Sequence, residues 1–150
     1  MKNDELRKPE SKKQFCFAMI LLLANRFQTK LDKYTGELTL KQWLLLCMLN
    51  SMKSDKVNVN ELASVMGCSR QNAKKLVDML TEKGYLQLQE STMDKRAYQI
   101  FLTEKTRQFF AEFEHLGDEL LEQIFETIDE EQLTTVGNIM EILSNNIDRM

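Results

Sequence analysis

Proline occurs once and glycine five times in 150 residues. So few chain breakers leave no Pro/Gly-rich linker and no low-complexity stretch, which suits one domain or one compact subunit. There is a single histidine, His115, and three cysteines, Cys16, Cys47 and Cys68, with no C-x-x-C among them. A structural zinc site takes four Cys or His ligands, so no metal site is expected. An odd number of widely spaced cysteines makes no disulfide scaffold and fits a reducing compartment, so a cytoplasmic protein is expected. A Gly-rich phosphate loop and a Ser-His-Asp arrangement are both missing, so no enzyme, no catalytic residue and no cofactor are expected. The longest apolar run, Phe15 to Ala24, falls short of the roughly 20 residues that span a membrane. No small-residue cleavage site follows it, so neither an anchor nor a signal peptide is expected.

What is present is ordinary in amount and unusual in placement. Hydrophobic residues make up 43% and charged residues 29%, as in soluble globular proteins. The net charge of −3 hides an asymmetry. Residues 1–103 hold 17 Lys/Arg against 11 Asp/Glu, whereas residues 104–150 hold 3 against 12. A polyanion would meet the first part and be repelled by the second.

The apolar spacing predicts mainly helix with one small hairpin. Pro9 suits the first turn of a helix, and from Gln14 to Leu31 the apolar residues cover more than one face. "DKYTGE" breaks that helix, and Thr39 is placed to cap a second with Leu40, Trp43, Leu44, Cys47 and Met48. After the polar "NSMKSDKVN", Val57 and Val59 suit a short extended piece. Asn60 is expected to cap a third helix, Glu61 to Met66, ended by Gly67. Ser69 is expected to cap a fourth, ended by Gly84 after about Lys83. The period then changes to two on both sides of "ESTMDKRA", with Leu86 and Leu88 on one arm and Tyr98, Ile100 and Leu102 on the other. That pattern is a β-hairpin. Thr103 is placed to cap a long fifth helix, and Asp129 with Gln132 to open a last one.

Residues 61–80 fit a helix-turn-helix: Ala63 at the crossing, Gly67 at the turn, and Leu62, Met66, Cys68, Ala73, Leu76, Val77 and Leu80 as shared core. At about 100° per residue, Ala73, Leu76, Val77 and Leu80 share one side of the fourth helix. Gln71, Lys75 and Asp78 lie opposite, with Asn72 and Lys74 on the flanks and Arg70 in the first turn. Arg and Lys donate to guanine, Gln and Asn pair with adenine, and a recognition helix enters the major groove by its N-terminal half. Ser69 and the first-turn amides suit a phosphate. Taken alone, this face serves equally well as a solvated surface. The hairpin tip shifts the balance, because Asp94, Lys95 and Arg96 follow directly. In extended structure Asp94 and Arg96 share a face, so the carboxylate could hold the guanidinium for a narrow minor groove. The rival class is a winged-helix protein-interaction module that never touches DNA; the basic tip favours DNA.

Three stretches, "LTLKQWLLL" at 38–46, "VNELASVMGCSRQNAKKLVDMLTEKGYL" at 59–86 and "DKRAYQIFLTEK" at 94–105, resemble the MarR family of winged helix-turn-helix transcriptional regulators. The last is similar to the family's wing signature, D-x-R followed after five residues by Leu-Thr. The resemblance implies a mainly α fold with a small β-hairpin wing, the winged helix-turn-helix flanked by N- and C-terminal dimerisation helices. On that reading residues 1–150 are one subunit, with DNA binding at about 39–103 and dimerisation helices at about 9–32 and 104–150. It implies a homodimer on a pseudo-palindromic operator in double-stranded DNA, usually a repressor released by a small-molecule effector or by oxidation. Carried over by position, Ser69, Arg70, Gln71, Asn72, Lys74 and Lys75 would meet the major groove and its phosphates. Arg96 would enter the minor groove, oriented by Asp94, with Lys95 near phosphate. Gln87 and Gln89 stand where relatives often carry Arg or Lys in the first wing strand, which implies a smaller salt dependence of binding.

Dimerisation is also expected from the residues themselves. The first, fifth and sixth helices carry apolar residues too broadly spread for one buried stripe, and Phe109 and Phe110 cannot both point into one small core. Cys16, in "FCFAM", is placed like the reactive cysteine of the family's organic-hydroperoxide sensors. However, Leu40 stands where a tyrosine partner is expected, and no clear cation adjoins Cys16 to lower its pKa. A packing role is the reading favoured for all three cysteines, with redox sensing by Cys16 kept open.

Overall fold

Four helices begin on the same short-range signal. In a computed structural model, which describes residues 11–52, 57–90 and 98–150, the elements run α1 (Lys12–Leu31), α2 (Leu40–Ser51), α3 (Val59–Val65), α4 (Arg70–Glu82), β1 (Leu86–Glu90), β2 (Tyr98–Leu102), α5 (Glu104–Ile124) and α6 (Glu130–Ile147). Ser11 with Gln14, Thr39 with Gln42, Asn58 with Glu61 and Asp129 with Gln132 each form a reciprocal capping box. Each box satisfies two backbone donors that the helix geometry leaves over. Pro9 lies outside the described residues.

Two expectations on helix starts are corrected. The cap of α3 is Asn58, not Asn60: the Asn58 carbonyl oxygen Oδ1 accepts from the Asn60 and Glu61 amides at 2.9 and 3.1 Å. Val59 is therefore helical rather than extended. Only Val57 is extended, and it makes an isolated antiparallel bridge to Ile100. At α5, the Thr103 hydroxyl turns away from the helix and donates to the Gly84 and Tyr85 carbonyls at 2.7 and 3.1 Å. The strand-end carbonyls hold the hydroxyl, so Thr103 ties the start of α5 to the end of α4 instead of capping α5.

Two helices end by one device. After α3, Cys68 N–H donates to the Ala63 carbonyl and Gly67 N–H to the Ser64 carbonyl. After α4, Tyr85 N–H reaches Leu80 and Gly84 N–H reaches Thr81. This six-to-one and five-to-two pairing needs a left-handed residue at the turn, and Gly67 and Gly84 supply it with φ of 59° and 81°. A Cβ on Gly67 would meet nothing within 4 Å. The penalty for Gly67→Ala is therefore that of the backbone alone, about 1 kcal/mol. A urea titration should show that loss of stability with an unchanged slope.

The described residues fall into two compact units, one reaching to Phe110 and one starting at Ala111. In the first, Leu45, Leu46, Leu62, Ala73 and Leu80 are wholly inaccessible and form the core behind α3 and α4. The hairpin pairs Leu86 with Leu102 through Glu90 with Tyr98, antiparallel. On β1 the sequence alternation holds: Leu86 is buried and Leu88 half-buried, while Gln87 and Gln89 are exposed. Phe109 is buried with its ring edge-on to Tyr85 at 5.6 Å, while Phe110 is only half-buried. In the second unit, α6 has no buried residue. Among the described residues no helix is long and apolar enough to cross a membrane.

Candidate nucleic-acid interface

The apolar side of α4 fixes where its polar side points. Ala73, Val77 and Leu80 are buried, Leu76 is half-buried, and Ser69, Arg70, Gln71, Asn72, Lys74 and Lys75 are all exposed. The structure thus brings the six expected helix residues together on the N-terminal half of one 13-residue helix. The Ser69 hydroxyl oxygen accepts from the Asn72 amide at 3.2 Å, so its first task is to cap the helix. By helix geometry the Arg70 and Gln71 amides have no carbonyl of their own helix to meet, and they add positive potential at that end.

The face has a boundary that the sequence reading did not draw. The Lys74 ammonium donates to the Asp78 carboxylate at 2.6 Å, and both side chains are solvent-accessible. Such an exposed pair adds little stability. It orients Lys74 and sets a carboxylate one turn beyond it, which would repel a phosphate. The basic stretch therefore ends at Lys75. The i,i+4 spacing carried this signal in the sequence.

The wing is present as β1 and β2, but its tip, with Asp94, Lys95 and Arg96, lies outside the described residues. Next to the described strands, Gln87, Gln89 and Glu90 form an exposed row without a positive charge. Among the cysteines, burial pushes the Cys47 thiol up to about 11, so it stays protonated at neutral pH. Cys68 is half-buried, which fits packing. Cys16 departs from a packing role in this chain: it is exposed, between exposed Phe15 and Phe17.

A polar cluster that the sequence reading missed lies at the opposite end of α4. The Glu37 carboxylate accepts from the Lys105 ammonium and the Tyr85 hydroxyl, both at 2.7 Å. These two hydrogen bonds, Lys105 first, hold the Glu37 carboxyl below its usual range, with the nearby Lys105 and Lys83 charges adding to them. The Lys83 ammonium donates to the Glu37 backbone carbonyl and, at 3.3 Å, to the side-chain oxygen of buried Gln42.

Comparisons with known proteins agree with this geometry. Residues 37–97 match the model of the MarR family. The transcriptional repressor MprA of Escherichia coli (strain K12) is 27% identical over 108 residues, covering 72% of this chain and 61% of that protein. A MarR/EmrR family transcriptional regulator from Acinetobacter sp. ADP1 superposes with a TM-score of 0.81 at 24% identity, over 93% of this chain and 99% of its own. Sco3205, a MarR family transcriptional regulator from Streptomyces coelicolor solved in complex with DNA, superposes with a TM-score of 0.80 at 21% identity, over 96% and 92%. At those identities the two structures speak for the fold: helices around a two-stranded wing. The matched relatives are transcriptional regulators rather than enzymes. Over residues 37–97 the chain thus matches the MarR family, and its fold is similar to that of the solved MarR family regulators.

Proposed function

We propose that this chain is a sequence-specific, double-stranded-DNA-binding transcriptional regulator: a cytoplasmic repressor that holds a pseudo-palindromic operator as a homodimer and releases it on binding a small molecule or on oxidation. The observation that carries the reading is the exposed set Ser69, Arg70, Gln71, Asn72, Lys74 and Lys75, on a helix whose opposite side buries Ala73, Val77 and Leu80. A rigid back and a free polar face are what a helix needs to read base edges. The wing residues Asp94, Lys95 and Arg96 are assigned to the adjacent minor groove, as in the sequence reading. Sco3205, which shares the fold, is solved in complex with DNA, and this supports DNA as the partner.

The dimer rests on apolar surface. Phe15, Phe17, Ile20 and Leu21 of α1 are exposed, Phe17 by 67%, and so are Val136, Ile139, Met140 and Ile142 of α6. Water-facing apolar surface of this extent marks an interface. We assign α1 and residues 104–150 to dimerisation and about 39–103 to DNA. If oxidation is the release signal, Cys16, which is exposed in the single chain and lies on the helix assigned to dimerisation, is the candidate thiol.

Light scattering after size exclusion tests the assembly. The protein alone should elute with the mass of two chains. Mixed with a duplex carrying its inverted repeat, it should elute as one dimer per duplex. A monomer at micromolar concentration that elutes apart from every duplex contradicts the proposal and leaves the protein-interaction module as the better reading.

A further inference from the structure

The face that is assigned to DNA lies at one end of α4; at the other end, beside the Thr103 and Thr106 ties to the Gly84 and Tyr85 carbonyls, a further set of side-chain contacts converges on Glu37. Four segments meet there: the loop between α1 and α2, the Lys83 cap of α4, Tyr85 ahead of β1, and the first turn of α5. The Lys105 ammonium bonds the Glu37 carboxylate and also the Lys83 carbonyl at 2.9 Å, and lies 4.3 Å from the centre of the Tyr85 ring. The Tyr85 carbonyl accepts from the Thr106 hydroxyl. Glu37 is itself held in place, because its loop is pinned by the buried Thr35, whose hydroxyl bonds the Leu38 carbonyl at 2.6 Å. The Asp32 carboxylate accepts from the Leu40 amide at 2.6 Å and closes the same loop.

We propose that Glu37 is a positioning residue: its carboxylate clasps the C-terminal end of α4 to α5 and so sets the tilt at which Ser69 to Lys75 are presented. The functional meaning of this rests on the DNA-binding reading; the geometric part does not. Leverage makes the clasp matter. Thirteen residues span about 20 Å, so a tilt of about 5° at Lys83 moves the far end of α4 by roughly 1.7 Å. Displacements of that size break bidentate contacts to bases. The Glu37–Lys105 pair is solvent-accessible, so its removal should hardly change folding stability.

The sign of the effect separates the clasp from simple electrostatics. Glu37→Ala removes a negative charge from the basic part of the chain, and by charge alone DNA would bind more tightly. The clasp predicts the reverse. In the full-length dimer, Glu37→Ala should bind a duplex selected from a random pool about tenfold more weakly, with the salt slope of wild type, because no phosphate contact is lost. Its melting temperature should stay within about 2 °C of wild type. Glu37→Gln, which keeps the acceptor oxygen, should recover most of the affinity. In the DNA-free protein, the backbone amide resonances of residues 69–75 should move in Glu37→Ala. Shifts confined to Lys83, Tyr85, Lys105 and their neighbours overturn the clasp, as does unchanged or tighter binding. If wild type binds no duplex, the DNA reading fails, and the amide shifts alone decide whether the clasp stands.

Discussion

Replacing Gln71 and Lys75 together by Ala should lower affinity for the selected duplex by about 100-fold or more, without unfolding the helix. Both side chains lie opposite the buried stripe of Ala73, Val77 and Leu80, so they are the pair most directly presented to a groove. Alanine is the best helix former, so α4 itself is not weakened. The two residues should fail in different ways. Lys75→Ala should weaken binding to all sequences alike and lower the salt slope by about one per subunit, as expected for a phosphate contact. Gln71→Ala should narrow the gap between selected and random duplexes, as expected for a lost base contact. In a two-fold dimer each change counts twice. Fluorescence anisotropy on labelled selected and random duplexes, over a series of salt concentrations, reads both effects. If the double variant binds every duplex as wild type does, the exposed face of α4 is only a solvated surface.

Leu80→Ala should be the most damaging single change to the fold, at about 3 kcal/mol. Leu80 is fully inaccessible, and its carbonyl also accepts the Tyr85 amide that ends α4. The alanine keeps the backbone bond and leaves a void between α4 and the core. Against a typical total stability of about 5–15 kcal/mol, that is a large fraction. The urea midpoint should fall with little change in slope, whereas Gln71→Ala and Lys75→Ala should leave it unmoved. A Leu80→Ala midpoint equal to that of wild type would mean that the back of α4 is not packed as described.

What the sequence made legible was local. Thr39, Ser69 and Asp129 are legible as caps because each bonds an amide only three residues on, and Gly67 and Gly84 as stops because glycine permits the left-handed backbone that both adopt. The hairpin was visible from its period of two. The Asn58 cap was missed although Asn58 to Glu61 carries the capping-box spacing; Asn60, next to the apolar run, drew the assignment instead. Thr103 was misread because its partners, Gly84 and Tyr85, are distant in the chain. The same holds for Glu37, whose partners lie 46 to 68 residues away. One Glu among many surface Glu and Lys carries no local mark of such a role. The exposed polar face of α4 is legible in the sequence because a helix face is a local property.

The central claim is that two copies of α4 read an inverted repeat. Selection of bound duplexes from a random pool tests it most directly. The account predicts enrichment of one inverted repeat whose half-site centres lie about one helical turn apart, near 34 Å. Recovered sequences no different from the starting pool would contradict it.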